Sequence, residues 1–427
     1  MGGAVAVPMW HDRRVMAVSD KKLELLFRRA EGLLLDESGF SADISRLASD
    51  EALQNLRELQ GDLERSGKSE RLKRLERAAG AHRAEAEEYI EKHGICGVMR
   101  HPAGDATVFM LPIETLPNHV NNIYAIVREK SHVLFDCGSG IGVSKRDIEF
   151  TLSIVRSVFK TEVHLERFDW CVISHAHVDH FGGANELKQH SNAKIAVHEL
   201  DARVLEQFEE RLVVTAKDID IYWRRAGVSD EECAVLRELY SSTKLYVKSE
   251  PVQLKLEDGD RVEGYQAHHV PGHCPGLICL QVNDVLLTSD HVLARITPHQ
   301  FPQALTPFGG IAHYFRSLKK VRELPGIRLA LGGHEEPILD LARRTLEIEE
   351  FHRHRLEQVM DLCKTPKTIA GVTEQLFGVQ ERYGRILAIE EAGAHVEYLH
   401  QKGRLKIANL DEVARARDPV IEYVSVS

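Results

Sequence analysis

The sequence predicts a mixed α/β protein with helical flanks, on three observations. Leucines recur at helical spacing from Ser19 to His93, with no strand-like run among them. From Gly97 the pattern changes to short β-rich runs separated by tight turns. One of these runs, Phe168 to Ile173, empties into a loop that holds three histidines and one carboxylate within six positions, and from Leu341 the pattern turns helical again. At roughly one domain per ~150 residues, 427 residues predict three segments, 1–100, 101–340 and 341–427.

Composition excludes several classes of function. A hydrophobic content of 43% with 28% charged residues is that of a globular protein, and no apolar run reaches the ~18 residues that read as a membrane span. Met1 to Pro8 is too short for a signal-peptide core and lacks a basic leader, so a cytoplasmic location is expected. The seven cysteines are odd in number and form no Cys-x-x-Cys pair, which argues against a disulfide framework or a redox motif. A net charge of −10 disfavours broad attraction to nucleic acid.

Taken in order, Leu53, Leu56, Leu59 and Leu63 set the helical period, which Leu72 and Leu75 continue. Gly39, Gly61, Gly67 and Gly80 interrupt it, so several short helices are expected, serving packing or a homo-oligomer contact. Strands are expected at Thr107–Leu111, Ile123–Val127 and His132–Phe135, then at Phe168–Ile173 and Lys194–His198. A helical insert follows from Glu199 to Ser249, and its last helix starts where Ser229 and Glu232 stand at capping-box spacing. The insert carries Tyr222-Trp223-Arg224-Arg225, an aromatic and cationic cluster that reads equally as a core tryptophan beside two solvated arginines. Further strands alternate with turns at Gly259-Asp260, Pro271-Gly272 and Asn283-Asp284.

The C-terminal segment reads as three helices and two strands. The first helix runs through Leu356, Val359 and Met360 and is broken by Pro366, the second opens at Thr368, and the third runs through Leu387, His395 and Leu399. Strands at Arg404–Ile407 and Val420–Ser425 complete a winged-helix order. The third helix carries Glu390, Glu391 and Glu397, which would face phosphate unfavourably, so a DNA-reading role is not expected. No metal-ligand spacing unites His352, His354 and His395.

The chemistry lies in Ser174-His175-Ala176-His177-Val178-Asp179-His180-Phe181-Gly182-Gly183. Imidazole and carboxylate suit a borderline divalent ion, and a loop at a strand's end can aim all four side chains at one spot. This stretch resembles the signature of the metallo-β-lactamase-fold hydrolases, which build a one- or two-metal site at the rim of an αββα sandwich. Four further motifs fit that resemblance in order: Asp136 in Leu134–Gly138, His273 in Val270–Gly276, Asp290 after Leu286–Ser289, and His334 after Leu331–Gly333. The tail resembles the small C-terminal domain carried by a subset of the family.

The resemblance implies two divalent ions, with zinc expected. His175, His177 and His273 would hold the first, Asp179, His180 and His334 the second, and Asp290 would bridge them. Asp136 would accept a hydrogen bond from a metal-bound histidine and fix its tautomer. Tyr314 opens a Tyr-x-x-Ser-Leu stretch like that of glyoxalase-II-like members and is a substrate-side candidate; so are Arg224 and Arg225, because inserts at this place often cap the pocket in the family. Glu335 beside His334 adds a harder oxygen donor, which admits Fe²⁺ or Mn²⁺.

Two ions ~3.5–4 Å apart can share a bridging water and lower its pKa until it serves as hydroxide. Asp179 would orient that hydroxide. The leading expectation is hydrolysis of an ester or thioester of a small molecule, because a bridging aspartate resembles the thioesterase, lactonase and phosphodiesterase branches and is absent from true β-lactamases. Three other readings stand beside it: RNA phosphodiester cleavage, a mononuclear iron enzyme of the persulfide-dioxygenase type, and a winged-helix regulator.

Overall fold

The computed structural model describes residues 94–426, apart from 96, 117, 118, 143, 243 and 245. The helices expected between Ser19 and His93, and the homo-oligomer contact assigned to them, lie outside the described residues.

Two sheets form the centre. The first has eight strands in sequence order: β1 (Gly94–Ile95), β2 (Val98–Ala103), β3 (Ala106–Leu116), β4 (His119–Val127), β5 (His132–Phe135), β6 (Trp170–Val172), β7 (Lys194–His198) and β8 (Leu254–Leu256). Pairing is antiparallel from β1 to β5 and parallel from β5 to β8. The parallel pairs need crossovers, supplied by α1 (Ser144–Ser157), by α2 (Val178–Phe181) with α3 (Ala184–His190), and by the insert α4 (Glu199–Glu206), α5 (Phe208–Arg225) and α6 (Asp230–Ser242). The second sheet runs β13-β12-β11-β10-β9, from β9 (Arg261–Val262), β10 (Tyr265–His269), β11 (Ile278–Val282), β12 (Val285–Ser289) and β13 (Leu329–Gly332).

The layering follows from side-chain alternation along each strand. On β3, Phe109, Leu111 and Ile113 pack with α1 residues Ile148, Leu152 and Val155, whereas Val108 and Met110 face the other way. Those two meet Leu280, Val282, Val285 and Leu287 of the second sheet, forming the inter-sheet core. Leu286 and Cys279 point outward from the second sheet against Tyr314, Leu318 and Val321 of α7 (Ile311–Arg322). Helix, sheet, sheet, helix is the predicted αββα order.

The C-terminal segment holds α8 (Leu341–Leu362), α9 (Ile369–Phe377), α10 (Tyr383–Gln401) and the short α11 (Leu410–Val413). Its three-stranded antiparallel sheet, ordered β14-β16-β15, adds β14 (Lys367–Thr368) to the expected β15 (Leu405–Ile407) and β16 (Glu422–Ser425). Asp340 and Thr368 accept from the amides of Arg343 and Gly371 and so cap α8 and α9. This segment shares its core with the insert: Ile219, Trp223 and Leu236 pack with Leu356, Val372, Ile389 and Val396. At the crossing of α5 and α10, a Cβ on Gly393 would collide with the Tyr222 hydroxyl, so only glycine permits this approach.

Candidate metal centre

Every side chain expected at the metals, Asp136 included, follows the carboxyl end of a strand. Asp136 follows β5, the stretch from His175 to His180 follows β6, His273 follows β10, Asp290 follows β12 and His334 follows β13. Two carboxylates are aimed by backbone in the left-handed region, Asp136 itself at φ 64° and Ser289 just before Asp290 at φ 45°. Such conformations cost about 1–3 kcal/mol each and persist where packing enforces them.

The first set is three imidazoles. His177 Nδ1 lies 2.9 Å from His175 Nε2 and 3.0 Å from His273 Nε2. His273 spends its Nδ1–H on the His299 carbonyl at 2.6 Å, which leaves Nε2 as a lone pair facing the other two nitrogens. Burial, reinforced by neighbouring histidines, pushes His175 and His177 well below the usual imidazole range and lowers His273 as well. Neutral nitrogens converging in this way can ligate a divalent metal ion.

The second set mixes nitrogen and oxygen. Asp179 Oδ2 stands 3.5 Å from His180 Nε2 and 4.0 Å from His334 Nε2. Asp290 Oδ2 is 3.6 Å from His180 Nε2, 3.4 Å from His334 Nε2 and 3.8 Å from His273 Nε2 of the first set. One carboxylate oxygen therefore faces both sets. Burial would raise Asp179 and Asp290, but the histidines outweigh it and hold both well below the usual carboxylate range. Burial opposes the charge on His180 and His334 too, yet the carboxylates win, raising His180 well above its usual value and His334 to about 9.

These residues fit divalent ions. Asp290 Oδ1 is buried and receives no hydrogen bond from the described residues. A Cβ on Gly333 would collide with that oxygen and come within 3.0 Å of His180 Cε1, so glycine keeps the cradle open. Asp136 Oδ2 accepts from His180 Nδ1 at 2.8 Å, and its carboxylate also takes the Ser174 amide and hydroxyl, which fixes the loop and the ring together.

Three contributors are not evident from the sequence. His119 Nε2 lies 3.2 Å from Asp179 Oδ2, and its ring packs 4.7 Å from that of His334. Asn121 donates to Asp179 Oδ2 at 2.9 Å. The signal for both is alternation, since His119 and Asn121 fall two apart on one face of β4. Asp201 accepts from the amides of Ala176 and Gly276 and so ties the first histidine loop to the His273 turn; burial, against those hydrogen bonds, raises it to about 6.

The substrate-side candidates lie elsewhere. Tyr314 is fully buried, donates its hydroxyl to the His291 carbonyl, and backs Gly272 in the His273 turn, so it braces that turn from behind. Arg224 pairs with Asp220 and Asp230, and Arg225 with Asp418, all as partly exposed ion pairs, while Trp223 is core. Beyond the insert's last helix, the Lys244 ammonium sits 3.4 Å from the Tyr240 ring centre. Burial lowers it to about 7 against the opposing charges of Glu390 and Asp179.

Two further expectations are corrected. Glu335 does not add a donor to the second set: a φ of 69° turns it away, and its carboxylate accepts from the amides of Arg295 and Ile296. The acids of α10 do not face outward, because Glu390 and Glu391 are buried and Glu397 accepts from the amides of Gln303 and Ala304. His352, Glu391 and His395 also gather, but as a hydrogen-bonded chain beside Arg355, whose guanidinium 2.9 Å from Glu391 would repel a cation.

The comparisons with known proteins agree with this geometry. A family model described as the metallo-beta-lactamase superfamily matches residues 116–334, just over half of the chain. No curated protein matches. Among solved structures, a metallo-beta-lactamase family protein from Thermus thermophilus is 23% identical with a TM-score of 0.59, over 75% of this chain and 98% of its own. A beta-lactamase domain protein from Burkholderia ambifaria is 22% identical with a TM-score of 0.57, over 77% and 92%. Those two likenesses are of fold; with the family match and the gathered histidines and aspartates, they make this chain a member of the metallo-beta-lactamase superfamily and a metal-dependent hydrolase.

Proposed function

We propose that this enzyme binds two divalent ions, zinc by donor type, and hydrolyses an ester or thioester of a small molecule. The observation that carries this reading is the position of Asp290 Oδ2, within 3.8 Å of ligand nitrogens from both sets. His175, His177 and His273 would hold one ion and Asp179, His180 and His334 the other, with Asp290 shared between them. Ions so bound supply Lewis acidity and a water acidified towards neutrality.

The chain's own residues supply the rest. Asp179, kept ionised, takes hydrogen bonds through Oδ2 and faces the same space, where it would orient the attacking water. The Phe301 ring, 5.5 Å from that of His177, gives the centre an apolar wall. The absence of a helix long and apolar enough to cross a membrane among the described residues is compatible with the cytoplasmic location we propose. The tail, which we read as winged-helix-like, would act as a structural wall and not as a nucleic-acid reader, because its third helix spends its acids on the loop at 300–304.

The test combines metal analysis with a substrate panel of acyl thioesters, lactones, carboxylic esters and labelled RNA. Two metals per chain and ester or thioester hydrolysis abolished by chelator are expected. Chelator-sensitive RNA cleavage without ester hydrolysis, or one iron per chain with oxygen uptake, would overturn the proposal.

A further inference from the structure

We infer that Glu391, on α10 of the C-terminal segment, is a positioning residue for the first metal set and acts on His273 through the peptide group joining His299 to Gln300. The inference rests on the two-metal reading above. The carbonyl of that peptide accepts the Nδ1–H of His273 at 2.6 Å, and its N–H donates to Glu391 Oε2 at 2.7 Å. A single peptide plane is thus held at both ends, by a metal-facing imidazole on one side and a carboxylate on the other.

The site is built for this contact. Gln300 is fully buried, and His299 and Glu391 are 8% and 6% exposed. Glu391 keeps its own orientation through Oε1, which takes Arg355 Nη1 at 2.9 Å. Glu397 accepts from the amides of Gln303 and Ala304, so α10 pins the same loop again three residues on.

A carboxylate that accepts a buried peptide N–H polarises that peptide and makes its carbonyl a stronger acceptor. The stronger acceptor holds His273 in the tautomer with its proton on Nδ1 and raises the basicity of Nε2, the atom that faces His177. The C-terminal segment then belongs to the metal centre, although among its described residues no hydrogen bond or ion pair reaches the gathered histidines and aspartates.

Chelator competition on the full-length zinc-loaded chain separates this role from packing. Glu391→Gln keeps an oxygen for the Gln300 amide but loses the charge and sets its NH₂ against Arg355, so it is read beside Arg355→Met, which removes that ion pair and leaves the carboxylate. Polarisation predicts about 10–100-fold weaker first-site binding in Glu391→Gln and a smaller loss in Arg355→Met, and an equal loss in both would assign the effect to packing. The His273 imidazole N–H proton resonance should also move upfield in that variant. Glu397→Gln, which leaves the 299–300 peptide untouched, should bind zinc as the unmodified chain does. Gln300→Pro deletes the N–H with Glu391 in place and should reproduce the loss, so the test does not hang on one variant. Unchanged first-site affinity in Glu391→Gln or in Gln300→Pro overturns the inference. An unmodified chain that binds no metal would instead sink the two-metal reading beneath it.

Discussion

Asp136 Oδ2 lies 2.8 Å from His180 Nδ1, and both side chains are about 1% exposed. The pair couples two loops that follow neighbouring parallel strands, β5 and β6, and it fixes which nitrogen of His180 faces the second set. Asp136→Asn is nearly isosteric, yet its amide must serve both the Ser174 amide, a donor, and His180 Nδ1. With its oxygen on Ser174, its NH₂ meets Nδ1, and the proton of His180 is driven to Nε2, the metal-facing atom. We predict about 10–100-fold weaker binding of the second ion with the fold retained. Zinc titration beside circular dichroism is the check, and unchanged affinity would contradict it.

The two single-histidine variants should differ. His334→Ala removes a donor of the second set and should leave a mononuclear enzyme with slow residual turnover. His273→Ala removes one of three imidazoles of the first set, so that ion and the turnover should both be lost. Metal content measured beside rate decides it, and identical loss of both ions in each variant would void the assignment.

Glu390 gives a pH dependence with a definite sign. Burial, partly offset by Lys244, raises its carboxyl from the usual 4.5 to about 8, and His299 Nε2 lies 3.5 Å away. The folded state therefore binds a proton more tightly than the unfolded chain does. The stability this contributes is complete below about 4.5 and is lost as pH rises through about 8. Glu390→Gln cannot titrate, so its stability relative to the unmodified chain should improve between about pH 5 and about pH 9. Denaturant midpoints of the metal-free proteins at the two ends test this, and a constant difference would refute it.

Much of the fold was legible because strand runs with a uniform pattern announce themselves. His132–Phe135 and Lys194–His198 are strands with the bounds the sequence predicts. Where the pattern breaks, the reading stopped short: β3 continues through Pro112 and Glu114 to Leu116, and β4 starts at His119, four residues before the apolar run. Those polar positions are where β4 serves the centre through His119 and Asn121. The side chains that gather at the centre could be picked out from their motifs because each follows a strand end. Neighbours in sequence were poorer guides, since a φ of 69° takes Glu335 away from His334's partners. Tertiary packing alone turns Glu390 and Glu391 inward, and helical periodicity carries no sign of that.

Asp290 stands between both sets, and metal stoichiometry of Asp290→Ala measured beside its turnover is the sharpest check on its shared role. Its Oδ2 approaches His180, His334 and His273, so removing it should lower occupancy of both positions together and abolish hydrolysis while circular dichroism stays native. Two retained metals with full activity in Asp290→Ala would contradict the account.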